Sequence, residues 1–347
     1  MKEKTQKRVC TIGGQAVMEG VMMKAPTGIA MAVRRADRTI VSEYSAHESK
    51  VKKGTFFSWP IVRGVVTFAE SISTGMRTIT RSAELYGEDI TEDASKFEKW
   101  LSEKTGKSTD KIVIGMAVAL AVVLAVGLFF MLPTFISGLL LKNFTGTTVW
   151  KTLVEGLVRL AIFFAYICAI GLMKDARRLF MYHGAEHKVI ACYEAEEELT
   201  PENASRFSRL HPRCGTNYLF LVMAISILFF AAVGYNANFW MRLLSRLAFL
   251  PVVAGLGYEV LRFGAKSDNI LSRIVRAPGM ALQRVTTREP DRDMLDVAIA
   301  AFNMALHPPE GELKTVSTTC ETSADTQAGG AAEADARPAT GIGAGAP

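Results

Sequence analysis

Between Lys111 and Lys142 the chain runs for 30 residues without a charged side chain, and between Arg213 and Arg242 for another 28. A helix needs about 20 apolar residues to cross a hydrocarbon core of ~30 Å. Each run is therefore longer than a span requires and longer than the buried helices of soluble folds. A mean hydropathy of +0.20 and 49% hydrophobic residues agree with that reading. The same composition excludes wholesale disorder and collagen-like repetition. The five scattered cysteines (Cys10, Cys168, Cys192, Cys214, Cys320) do not form a disulfide framework and suggest a reducing compartment.

Pro133 and Gly138 give the first run places to kink. Two further segments, Thr152 to Met173 and Leu243 to Leu261, are weaker because each carries charges: Glu155 and Arg159 in one, Arg246 and Glu259 in the other. With all four crossing, the residues before Lys111, between Lys174 and Arg213 and after Arg262 share one side, which holds most of the positive charge. The positive-inside rule makes that side cytoplasmic. With only the strong pair crossing, the central loop and its seven bases would be exported. Glu155 and Arg159 stand one helical turn apart and can pair on one face, or sit at the interface.

These features predict a mainly α-helical integral membrane protein of about four transmembrane helices with a small N-terminal cytoplasmic α+β part. The divisions are an N-terminal region over 1–108, a membrane domain over 109–263 with a cytoplasmic loop at 174–216, a helical segment over 264–309, and a disordered tail over 310–347. The tail has a net charge of −4 and the rest +10. A basic, apolar body suits contact with the lipid bilayer and its anionic head groups. No nucleic-acid motif is present, and the basic start lacks the apolar stretch of a cleavable signal peptide.

In the N-terminal region, 29–44 read as two strands around a turn near Ala36-Asp37. A helix is predicted from Pro60 to about Tyr86, its stripe of Ile61, Val65, Phe68, Ile72, Met76 and Ile79 packing on the β element or lying on the membrane surface. A second helix follows Thr287 and ends before Pro308-Pro309.

Chemistry concentrates in the central loop. Tyr182-His183-Gly184-Ala185-Glu186-His187-Lys188 contains H-x-x-E-H, which on a helix places His183 and His187 one turn apart on one face. Two imidazoles can then share a metal ion, zinc being the best match, with Glu186 beside them as general base, the arrangement of inverted zinc hydrolases. His211 and Cys214, from His211-Pro-Arg-Cys-Gly-Thr216, are further candidate ligands. Three ligands and a water would make the site catalytic, and four would make it structural. In Gly13-Gly14-Gln15-Ala16-Val17-Met18-Glu19-Gly20, Gln15 could bond a substrate and Glu19 could ligate the metal or orient a histidine. The glycines are expected in turns, and Met18, Met22 and Met23 in the core.

Gly13 to Met23, Trp59-Pro-Ile-Val-Arg-Gly64, His183 to Lys188 and His211 to Thr216 together resemble the YqhQ-like bacterial membrane-protein family over about residues 10–306. The resemblance implies a predicted metal-dependent enzyme with His183, Glu186, His187, His211 and Cys214 at its site. It also implies a bacterial membrane, here the inner one, and four spans with the basic side inward place both termini in the cytoplasm. The leading expectation is a metal-dependent hydrolase acting on a peptide or lipid near the cytoplasmic surface. The alternatives are a noncatalytic scaffold or biogenesis factor recruiting the ribosome or translocation machinery, and an oligomeric transporter using Glu155, Arg159 and Glu259.

Overall fold

The structure, a computed structural model, describes residues 11–52, 54–87, 109–212, 214–234, 238–265, 269–308 and 314–318. Expectations for Cys10, Cys320 and most of the tail fall outside them. Among the described residues, β1 (Gly13–Val17), β2 (Gly20–Ala25), β3 (Gly28–Arg34), β4 (Ile40–Ala46) and β5 (Lys314–Thr318) make one antiparallel sheet in that order. Side chains alternate across it as the pleat requires. Val21, Met23, Ala30, Ala32 and Ile40 meet α5 (Lys174–Glu194) and α11 (Arg292–Leu306) in the larger core. Met22, Met31, Val33 and Val41 meet Leu85 and Tyr86 at the end of α1 (Val62–Tyr86) on the other face. Along α11, Leu295, Ala298, Phe302 and Ala305 recur at helical spacing and are buried. A buried side chain such as Phe302 contributes about 1.5–3 kcal/mol.

The apolar helices stand apart from this unit. Helix α2 (Thr109–Val126), a π turn (Gly127–Met131) and α3 (Leu132–Leu140) run on as one helix. Pro133 has no N–H for the carbonyl of Phe129 four residues earlier, and the helix widens just before it. The Arg159 Nε takes up the Phe129 carbonyl instead, at 3.1 Å. Next come α4 (Thr148–Ile170), α7 (Thr216–Val233), α8 (Phe239–Ala248), α9 (Leu250–Ala265) and α10 (Ile270–Thr286), while the short α6 (Pro201–Ser205) packs Ala204 into the larger core. Three helices, Ile112–Leu140, Thr148–Ile170 and Thr216–Val233, are long and apolar enough to cross a membrane. A fourth is added if α8 and α9, bent by 46°, count as one span, the form taken by the weak segment at Leu243–Leu261. Leu120, Val122, Val123 and Leu124 in α2 are all more than half exposed, a contiguous apolar surface of the kind that marks contact with a membrane or a partner.

Glu155 and Arg159 do pair, Nη2 to Oε1 at 3.2 Å, with the carboxylate buried and the guanidinium largely covered. Arg246 from α8 reaches the same carboxylate at 3.2 Å and Arg242 at 3.7 Å, while the Arg246 guanidinium lies 3.8 Å from the centre of the Phe230 ring.

Several expectations are corrected. The stripe on α1 does not pack on the sheet: Ile72, Met76 and Ile79 are exposed, and α1 runs along α9. There Gly64 lies so close that a Cβ on it would be 2.8 Å from the Gly255 Cα, and Arg63 grips Glu259 with two hydrogen bonds. Met22 and Met23 are core residues, but Met18 is exposed. The glycine-rich segment at 13–20 forms a hairpin rather than isolated turns. Ordered structure also enters the segment expected as tail, because β5 pairs with β4 from Ile40↔Thr318 to Tyr44↔Lys314.

Candidate metal centre

His183 and His187 occupy successive turns of α5, their ring centroids 4.4 Å apart. His183 Nδ1 is 2.9 Å from the Thr286 carbonyl and His187 Nδ1 is 2.6 Å from that of Arg209. A carbonyl can only accept, so both Nδ1 atoms carry the hydrogen and both Nε2 atoms keep a lone pair. Those lone pairs and Cys214 Sγ converge: the three donors lie within 4.8 Å of one another, with His183 Nε2 3.1 Å from the sulfur. A tetrahedral zinc site has donor separations of about 3.5 Å, given its ~2.0 and ~2.3 Å bonds to nitrogen and sulfur. His187 Nε2 is buried without a well-formed hydrogen bond, an arrangement that costs about 1–3 kcal/mol unless something satisfies it. Burial pushes the His187 imidazole below its ordinary pKa, while the neighbouring Cys214 opposes the shift. Tethered Nδ1 atoms, an orphaned Nε2 and a thiol at the same point fit a divalent transition metal.

The loop carrying Cys214 is held from α10. Gln283 Oε1 accepts from the His211 N–H, and Gln283 Nε2 donates to the His211 carbonyl, each at 2.9 Å. Gln283 Nε2 also reaches Asn217 Oδ1 at 3.2 Å, and Asn217 Nδ2 donates to the Pro212 carbonyl at 2.7 Å. The His211 ring stands beside the three donors, 5.7 Å from the His187 ring, with its Nε2 3.5 Å from Glu194 Oε2. Lys188, buried one residue past His187, ties α5 to the Ser205 carbonyl at 2.8 Å and to Glu289.

Glu186 is buried against β1, and its Oε2 has no hydrogen-bond partner. Burial raises its pKa; the nearby imidazoles of His183 and His211 and the Gly14 N–H pull the other way. Gly14 is there because nothing larger fits: a Cβ would sit 2.8 Å from Glu186 Cγ, from Glu186 Cδ and from the Met22 carbonyl oxygen. Gly184 likewise lets α5 pass the chain after α10, where a Cβ would lie 2.1 Å from the Arg288 carbonyl oxygen. His183, Glu186, His187, His211, Cys214 and Gln15 all line one cavity of about 850 Å³. Gln15 reaches it from β1 and lies over Gly75 of α1, its amide oxygen 3.1 Å from where a Cβ would stand. Glu19 is placed elsewhere: at the turn between β1 and β2 it takes both Arg178 Nε (2.6 Å) and Nη2 (2.5 Å), and the Tyr182 hydroxyl at 3.2 Å. It clamps the hairpin to α5 one turn before His183.

Sequence reasoning missed the parts that aim the donors: Gly14, Gly184, Gln283 and the carbonyls of Arg209 and Thr286. The glycines stand in the quoted motifs and could have been marked as close approaches. Backbone carbonyls leave no signature in residue identity.

The model of a family described as a protein of unknown function, DUF1385, matches residues 59–308. The uncharacterized protein YqhQ of Bacillus subtilis (strain 168) is 32% identical over 301 residues, 85% of this chain and 92% of its own length. No solved structure matches. The chain belongs to this YqhQ-like, DUF1385 family.

Proposed function

We propose that this member of the DUF1385 family is a metal-dependent hydrolase of the bacterial inner membrane. Its site faces the cytoplasm, and its substrate is an amide or ester presented near the membrane surface. The observation that carries the proposal is the convergence of His183 Nε2, His187 Nε2 and Cys214 Sγ within 4.8 Å, beside a buried carboxylate with one unpaired oxygen. Two nitrogens and a sulfur suit zinc, and three protein donors leave a fourth position open to the cavity. A metal there would supply Lewis acidity and lower the pKa of water. Glu186 accepts a proton as the water oxygen adds to the carbonyl carbon. It returns that proton to the leaving nitrogen or oxygen as the old bond breaks. His183 and His187 stay fixed by the Thr286 and Arg209 carbonyls, and Gln15, across the cavity, can donate its amide hydrogens to the substrate. The cytoplasmic assignment rests on the basic residues of the segment bearing the site.

The test is elemental analysis of detergent-purified protein. About one zinc per chain is expected, lost in the double variant His183→Ala, His187→Ala. Glu186→Gln should keep the metal and lower kcat by about 10²–10⁴-fold, the usual weight of a general base. A retained metal with no effect of Glu186→Gln on any function would make the centre structural. A protein that takes up no metal would point to the scaffold reading.

A further inference from the structure

A second cavity of about 540 Å³ lies between α1, α7 and α9, and it shares Gln15, Ser71, Ile79 and Gly215 with the cavity of the metal centre. The two are therefore consecutive compartments of one cleft, with Gln15 at the junction. Their chemistry differs sharply. The first holds the histidines, the cysteine and Glu186, whereas no charged side chain lines the second, whose walls include Phe68, Ile72, Met76, Tyr258 and Leu261. On α1 the outer lip, Ile72, Met76 and Ile79, is exposed, on the helix that runs along α9. The aromatic residues just before α1, Phe56, Phe57 and Trp59, are exposed as well, the composition of a membrane–water boundary.

A peptide in the second compartment would bring an N–H and a C=O with every residue, and each left unpaired costs about 1–3 kcal/mol. The walls offer few polar groups to meet them: Gln15, Thr67, Ser71 and two tyrosines, with the Tyr218 hydroxyl already donating to the Ala254 carbonyl at 2.9 Å. A hydrocarbon chain asks for none and gains from every methylene buried. The geometry points to a membrane lipid as the substrate, its acyl chain lying in the second compartment and its ester or amide reaching past Gln15 to Glu186 and the His183, His187, Cys214 cluster. This rests on the hydrolase reading and deepens it. Hydrolysis releases the acyl chain as a carboxylic acid and the remainder of the lipid as an alcohol or amine, with one water consumed.

Straight-chain alkyl hydroxamates of two to twelve carbons, titrated by calorimetry into the zinc-loaded full chain in detergent, separate the two ideas, because the head group reports on the metal and the tail on the groove. The control is Thr67→Trp, which fills the second compartment and does not line the first. Affinity should rise at least about tenfold from the shortest to the longest tail in the wild type, a small part of what full burial of ten methylenes would give. It should flatten in Thr67→Trp, with zinc content and the affinity of the two-carbon compound unchanged. Equal chain-length dependence in both proteins would overturn the acyl-chain assignment while leaving the metal centre standing. Failure to take up zinc on loading would overturn the centre itself and the substrate with it, and no binding at any length to the loaded protein would overturn the substrate assignment. Should Thr67→Trp fail to fold, a wild-type experiment decides: a hydroxamate with a diazirine at the end of its tail should label Phe68 or Tyr258. Labelling confined to Phe163 and Ile167 of the first cavity would sink the proposal.

Discussion

Gly14 and Gly75 show how unequal two glycines can be. A methyl group on Gly14 meets both the Glu186 side chain and the Met22 backbone oxygen at 2.8 Å, and backbone cannot step aside. On Gly75 the nearest atom, at 3.1 Å, is the flexible end of Gln15. Gly14→Ala should therefore cost about 1–3 kcal/mol, the usual penalty of overpacking, and Gly75→Ala well under 1 kcal/mol, read as differences in thermal unfolding. Gly14→Ala should also keep its metal and lose hydrolysis, since it moves Glu186 and leaves the imidazole tethers alone. At this scale the closeness of His183 and His187 was legible, because their spacing puts both on one helix face, whereas the approach of Cys214 to them is a tertiary fact. Glu19 was not legible either, because its partner Arg178 lies 159 positions away and only the folded hairpin brings them together.

Among the elements, the apolar spans were the most legible, since an uncharged run of 30 residues has few alternatives. The β1–β2 hairpin was hidden because its two-residue turn is Met18-Glu19, with Glu19 at φ 47°, where Asn-Gly would have been the recognisable signal. The π turn before Pro133 was half visible: proline announces a defect, but the repair by Arg159 is a tertiary fact. That repair is testable by a double-mutant cycle. Arg159→Ala alone should strand the Phe129 carbonyl, while Pro133→Ala returns the missing N–H, so the double variant should be more stable than the two single losses predict, by about 0.5–3 kcal/mol. Glu155→Gln removes the carboxylate on which Arg159, Arg242 and Arg246 converge. Leaving those buried guanidiniums without it should cost about 3–5 kcal/mol, visible as a lower unfolding temperature in detergent.

For the whole molecule, the chain returns twice to one place. The N-terminal strands, the central helix α5 and the late helix α11 make a single core, although the candidate spans separate them in sequence. Hydropathy divides such a chain into consecutive blocks and cannot say which blocks meet, and so the sequence reading kept 1–108, 174–216 and 264–309 apart. Truncation after Thr287 removes α11 and uncovers the face holding Val21, Met23 and Ala30. Limited proteolysis should then cut within residues 11–46, which are protected in the full chain, while the apolar helices remain detergent-extracted with the membrane fraction.

The tethering of His183 to the Thr286 carbonyl has a consequence in time. His187 meets the Arg209 carbonyl 22 residues on, but His183 needs a carbonyl 103 residues later, so during synthesis that imidazole exists well before anything aims it. At ~5–20 residues per second the ribosome takes roughly 5–20 s to cover that distance. For that interval the nascent chain carries the His183 imidazole without its tether. Helix α10 works as the safety catch, and a product truncated before its end lacks the carbonyl that aims His183.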